Sequence, residues 1–258
     1  MSWLELQGGI IYGPIASRRL GASLGLNIMP TSYKLCPFNC VYCHYGWTDK
    51  QALDLASLVQ DLPTPQEVGD ALRNSLEDLA RCGQPPDYIT FSGNGEPTAH
   101  PQFAEIVKAV RLVRDQIFAD VHIALLSNST TLHHQDVIDA IEGVDLPIMK
   151  LDAGTEELFR KINRPMETIT LDQIVSGLKR LDRFDTQTVF MKGIVDNSTD
   201  QAVQSWMALI GELRPVEAQI YTVDRWPADP RLEKVERSRL GEIAEMTKKK
   251  TGVKVVVY

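Results

Sequence analysis

The chain has 258 residues, 43% of them hydrophobic and 24% charged, and carries a formal net charge of −7. This is the composition of a globular protein with a substantial core, and the acidic balance speaks against a chain whose main task is to coat a nucleic acid, because phosphate neutralisation needs a basic field. No stretch approaches the roughly 18 consecutive apolar residues of a membrane span, and MSWLELQGGIIYGP lacks the charged start and long apolar run of a secretion signal, so a cytoplasmic location with reduced thiols is expected.

In chain order, 22–29 reads as a strand, followed by a loop with three of the four cysteines. Thr64-Pro65-Gln66-Glu67 has the form of a capping box with proline at the first helical position, opening a helix that ends near Arg81, before Cys82-Gly83. A strand over 87–91 leads into SGNGEP. Phe103, Ile106, Val107, Val110 and Val113 then recur at helical spacing and predict a helix over about 101–118. A strand at 121–126 precedes SNST, a helix covers about 133–142, and a strand at 147–151 precedes DAGT. A short helix near 156–162 follows, then one over about 171–183 capped by Thr170 with Gln173. A strand at 188–195 precedes a helix capped by Ser198 with Gln201 and ending near Leu213. A strand at 218–223 runs into DRWPADP, a charged helix covers about 233–250, and 253–257 reads as a short strand. His122, His133 and His134 read as ordinary cap and core residues.

Strand and helix alternate about six times, which predicts an α/β fold with a parallel sheet and right-handed crossovers, in a barrel open or closed. Polar sequences follow the strand ends: CPFNCVYCHYG, SGNGEP, SNST, DAGT, DNST and DRWPADP. In such folds the active site lies at that edge, so one shared central site is expected.

Cys36, Cys40 and Cys43 are spaced C-x3-C-x2-C, with His44 next. Four readings fit a thiol trio. The thiols pack as small hydrophobes. They bind a structural zinc with His44, or with distant Cys82, although adjacent Cys43 and His44 point apart in extended chain. They attach haem through Cys40-Val-Tyr-Cys43-His44, which leaves Cys36 unexplained. Or they hold a [4Fe-4S] cluster, normally one thiolate per iron, so that three leave one iron open to a ligand.

With Tyr42 before the last cysteine, this spacing resembles the signature of radical S-adenosylmethionine (radical SAM) enzymes. The resemblance implies a single-domain partial (β/α)6 TIM-like barrel over 1–258, with N-terminal strands in 1–30 leading into the cluster loop and a C-terminal helix and strand in 231–258. It implies a [4Fe-4S] cluster on Cys36, Cys40 and Cys43, an open iron that chelates S-adenosylmethionine, and a 5′-deoxyadenosyl radical that removes hydrogen from a substrate. An external electron donor of flavodoxin or ferredoxin type is implied too. Asn94, Gly95 and Glu96 of SGNGEP resemble the family's glycine-rich segment that holds the methionine ammonium. Ser127 and Asn128 correspond to contacts with ribose or the methionine carboxylate. Lys150 and Asp152 flank Leu151 and share a face, suiting the methionine carboxylate and a ribose or the substrate, or an ion pair with each other. Gly193, within 191–195, falls in the apolar segment along the adenine, and Tyr42, His44 and Tyr45 are further adenine-lining candidates.

YGPIASRRLG (12–21), SLGLN, SGNGEPT, LDAGT and KINRP (161–165) resemble the radical enzymes related to the tRNA wyosine-base synthase. That enzyme carries a second cluster on three further cysteines, whereas only Cys82 is left here, so a second cluster is not expected. The substrate expected is a small molecule or nucleobase. The alternatives are activation of a partner protein by a glycyl radical and a non-enzymatic zinc-binding module. Arg18, Arg19, Arg164, Asp224, Arg225 and Trp226 are substrate-side candidates, the arginines suiting a carboxylate or phosphate.

Overall fold

The computed structural model describes residues 2–258. The chain enters as an antiparallel hairpin, β1 (Ile11–Ser17) and β2 (Gly21–Leu26), with β2 next to β3 (Tyr88–Phe91) in parallel. Parallel neighbours then follow in sequence order: β4 (His122–Ser127), β5 (Leu146–Lys150), β6 (Asp185–Gly193) and β7 (Glu217–Thr222). A short β8 (Leu232–Lys234) pairs antiparallel with the end of β6, and β9 (Lys254–Val257) closes the parallel run beside β7.

The crossovers are helical: α1 (Pro65–Arg81), α2 (Phe103–Ile117), α3 (Gln135–Ile141), α4 (Glu156–Asn163), α5 (Leu171–Leu178), α6 (Asp200–Leu213) and α7 (Arg237–Thr251). Their starts follow local chemistry. Thr64 and Thr170 form capping boxes with Glu67 and Gln173, as the sequence predicts. The cap of α6 is Thr199, one residue beyond the expected Ser198, because the Ser198 hydroxyl is turned to Asp196.

Side chains alternate across the strands. Ile89, Phe91, Ile123, Leu125 and Met149 join the helices in one large apolar core. The opposite face carries Thr90 beside Ala124, and Lys150 beside Gln187 beside Gln219. This inner face is largely polar. A small plug of Leu20, Ala124 and Ile148 fills part of it.

The sheet is open, with β1 and β9 at the two ends of the strand order. The N-terminal region nonetheless reaches the last strands: the Trp3 indole donates to Pro227 O at 3.0 Å, Arg18 pairs with Asp224, and Arg19 stands over the Tyr258 ring. The sheet is therefore curled into the expected partial barrel. Among the described residues no helix is long and apolar enough to cross a membrane.

Several boundaries differ from the sequence reading. β1 gives definite bounds to one of the strands expected within 1–30, and β2 ends at Leu26 rather than 29. β6 starts at Asp185 rather than near 188: Asp185 and Gln187 are polar yet buried on the inner face, and Thr186 is buried on the helix side beside Met149. α5 stops at Leu178, because 179–184 must turn the chain into that early strand. α7 starts at Arg237, because 232–234 form β8. His122 is exposed at the start of β4 and stacks on Tyr88 rather than entering the core.

Candidate active site

The cysteine loop leaves β2 and is fastened by backbone. Leu35 bridges both Lys50 and Gly95, and its amide donates to Asn94 O at 3.0 Å. The last carbonyls of α4, which no helical amide can reach, accept from the loop instead. Asn39 N donates to Asn163 O at 3.0 Å and Val41 N to Ile162 O at 2.9 Å. Phe38 bridges Pro165, and Met166 N donates to Pro37 O at 3.1 Å. The KINRP segment is thus the clamp of the cysteine loop. Its Arg164 takes the left-handed conformation that ends α4 and stacks on Trp47 at 4.7 Å.

The three thiols lie half-buried within this loop, while Cys82 is exposed at the end of α1. Asn128 Nδ2 points at Cys36 Sγ at 3.6 Å and Asn163 Nδ2 at Cys40 Sγ at 3.5 Å. Lys34 is buried beside all three, 3% exposed, and donates to Gly46 O at 2.8 Å. Burial opposes its charge, but Cys43 and Cys36 outweigh that and hold its ammonium above the usual lysine range. Burial pushes the Cys36 thiol far up, and burial with the charge of Asp152 lifts Cys40 to about 11. Thiolates here need a strong cation to exist. Three sulfurs, two amides aimed at sulfur and a buried ammonium suit an iron–sulfur cluster.

Glu96 is 2% exposed and accepts from Thr98 N (3.0 Å), Thr98 Oγ1 (2.6 Å), Ser127 Oγ (2.8 Å) and Asn128 N (2.6 Å). It thereby ties the ends of β3 and β4 together and aims Asn128 at Cys36. Burial raises its carboxyl above the usual range, against the pull of those donors.

Asp152 is a second centre, its side chain fully buried. It accepts from Tyr42 Oη at 2.6 Å, Asn163 Nδ2 at 2.9 Å and Val189 N at 2.9 Å, and pairs with Lys150 Nζ at 3.1 Å. Lys150 and Asp152 do share a face and do pair. Lys150 Nζ also lies 4.9 Å from the centre of the Tyr42 ring. His44 turns to the barrel mouth, where burial and the charges of Arg225 and Lys150 pull it down to about 4, so it is neutral at pH 7.

Thus Cys36, Cys40, Cys43, Tyr42, Asn128, Lys150 and Asp152 form one connected set, with Glu96 and Ser127 behind it. Three expected cofactor contacts have other tasks. The Asn94 side chain is buried and bonds Gln7 N, Gln7 O and Pro30 O, tying the N-terminal segment to the strand end. Gly95 allows a close approach, but of Leu35 O: a Cβ there would lie 1.7 Å from it. Gly193 is where β8 docks, with φ +96° and Arg231 O 2.1 Å from a Cβ. Lys34 and Asn163 carry no mark in the sequence reading, although each lies in or beside a quoted segment.

A family model described as the Radical SAM superfamily matches residues 31–209, from the cysteine loop through most of α6. The chain belongs to the radical SAM superfamily. This family implies an iron–sulfur cluster and S-adenosylmethionine. The radical SAM chain is 30% identical over 225 residues to a UPF0026 protein of Methanocaldococcus jannaschii, covering 85% of this chain and 65% of that protein. It is 27% identical over 220 residues to the "GTPase Obg" of Brachyspira hyodysenteriae, covering 83% of this chain and 30% of that protein. It therefore spans less than two thirds of the length of either relative. Its fold is similar to the solved structure of TYW1 with a lysine-pyruvate adduct bound, with TM-score 0.64, 17% identity, and 91% of this chain and 75% of that chain covered.

Proposed function

We propose that this chain is a radical SAM enzyme with one [4Fe-4S] cluster, held by Cys36, Cys40 and Cys43, acting on a small molecule or nucleobase. When bound, the cluster would supply the electron that splits S-adenosylmethionine into methionine and a 5′-deoxyadenosyl radical able to take hydrogen from the substrate. The observation that carries the reading is the set around the three thiols: two amides on sulfur and Lys34 beside them, all mounted on a loop fixed by main-chain bonds. Asn128 and Asn163 hold the sulfur ligands in place. Glu96 fixes Asn128 and offers its carboxylate toward a bound ammonium. Asp152 orients Tyr42 and Lys150, and Lys150 faces the methionine carboxylate. The fully engaged state of Asp152 makes it an organiser of Tyr42, Asn163 and Lys150 first. The electron comes from an external donor of flavodoxin or ferredoxin type.

The test is anaerobic reconstitution with iron and sulfide, then dithionite and S-adenosylmethionine. A brown protein with about four irons per chain that forms 5′-deoxyadenosine is expected. Cys40→Ala loses iron and product, and Cys82→Ser keeps both. A colourless protein with one zinc per chain, or an iron protein whose spectrum ignores S-adenosylmethionine, overturns the reading.

A further inference from the structure

At the seam of the open sheet, nitrogen donors gather around one tyrosine. Arg19 leaves the β1–β2 turn and lays its guanidinium 4.6 Å from the centre of the Tyr221 ring and 5.8 Å from that of Tyr258. Lys150 Nζ lies 5.4 Å from the centre of the same Tyr221 ring. Gln187 is the register partner of Lys150 and takes the Tyr221 hydroxyl on Oε1 at 3.1 Å, which leaves its Nε2 to other partners. Arg19 Nη1 and Gln187 Nε2 are each closed to solvent, and neither makes a directed hydrogen bond within the chain, whereas Lys150 beside them is paired with Asp152 at 3.1 Å.

Unmet donors of this kind are costly when buried, most of all charged ones. Two other packed arginines have carboxylates, Arg114 with Asp115 and Asp145 and Arg239 with Asp200 and Glu242, and Arg180 has neutral acceptors in Leu132 O and Gln135 Oε1. Arg19 has no carboxylate within ion-pair distance among the described residues. The acids nearby are taken. Asp224 pairs with Arg18 and lies 3.8 Å from Lys234, and Asp152 serves Tyr42, Asn163, Val189 and Lys150. Positive charge is thus in local surplus in a chain whose net charge is −7. Leu20 packs against Ala124 and Ile148 on the same inner face.

We propose that Arg19, with Gln187, forms a subsite for an oxyanion group, carboxylate or phosphate, on a small substrate. This deepens the proposed function and rests on it only for the word substrate. The guanidinium stacked on Tyr221 is held in one plane, and its free edge suits an oxyanion.

The test is calorimetric titration of the anaerobically reconstituted protein with inorganic phosphate and, separately, with succinate; whichever binds distinguishes phosphate from carboxylate. The wild type binds at least one, more weakly as salt rises. Arg19→Gln lowers that affinity about tenfold or more, the loss of a charged hydrogen bond. Arg19→Lys, which keeps the charge without the fork, falls between, and carries the comparison if Arg19→Gln does not fold. Arg81→Ala, at a solvent-exposed pair on α1, matches the wild type. Titration with S-adenosylmethionine separates the remaining source of a carboxylate: its affinity is the same in Arg19→Gln as in the wild type. The proposal is overturned if neither probe binds the wild type, if the Arg19 variants bind as the wild type does, or if they lose S-adenosylmethionine in equal measure. Formation of 5′-deoxyadenosine by the wild type is a separate measurement. Its failure would remove the proposed function and leave these titrations standing.

Discussion

Single side chains in this site act mostly by what they hold in place. Glu96 is the clearest case. Glu96→Ala strands the amides of Thr98 and Asn128 in a buried region, at about 1–3 kcal/mol for each unmet donor. Chemical denaturation reads that loss. S-adenosylmethionine titration of the same variant should show weaker binding with the iron retained, and unchanged affinity would remove Glu96 from the cofactor contacts. Lys34→Met takes a buried ammonium away from three sulfurs, so iron content after reconstitution should fall below the wild-type value. His100 gives a pH dependence. Its Nδ1 accepts from Gln102 N at 3.0 Å and its Nε2 donates to Pro63 O at 3.0 Å, so it is the neutral form that fits. Burial lowers it to about 4 against an ordinary 6.5, an effect the bond to Pro63 partly opposes. A histidine lowered on folding stabilises above its unfolded value, and that contribution drains away as pH falls from about 6.5 through 4. Melting temperature should therefore drop more between pH 7 and 4.5 in the wild type than in His100→Asn, and equal drops would sink the assignment. At this scale the cysteines and Glu96 were legible because their spacing or setting is rare. Lys34 and Asn163 were not, since a lysine before a loop and an asparagine at a helix end usually meet water.

Among the elements, those with local causes were the readable ones. Thr64 and Thr170 announce α1 and α5, and apolar spacing announces α2. The sequence trims β6 because Asp185, Thr186 and Gln187 look like surface, whereas Asp185 and Gln187 face the inside of the barrel and Thr186 the buried helix side. β8 has no local signal at all: it exists because Gly193 lets 232–234 lie against β6. The same logic gives Gly95 its weight. In the sequence a glycine here suggests room for a ligand, and that room is filled by Leu35 O. Gly95→Ala would push the cysteine loop off the end of β3, with a loss of about 2–4 kcal/mol and poor iron loading. Wild-type iron content in that variant would show that the Leu35 contact does not set the loop.

For the whole molecule, order of strands followed from alternation of strand and helix, while closure did not, because it depends on distant contacts across the gap. Trp3, Leu4 and Gln7 make these contacts: Trp3 to Pro227, Leu4 N to His44 O at 2.8 Å, and Gln7 to Asn94 and Tyr45. Removing residues 2–8 should loosen the mouth, with a lower melting temperature and faster loss of iron in air, while helix content by circular dichroism stays near the wild type. Unchanged iron retention would mean that the segment only covers the mouth.

The clamp of α4 on the cysteine loop has a consequence for the order of assembly. Because the ties run through amides and carbonyls of the main chain, the socket takes its shape during folding, ahead of any metal. Iron and sulfide then fill a finished mould. Stripping the metal should leave hydrogen exchange at the Asn39 and Val41 amides as slow as before.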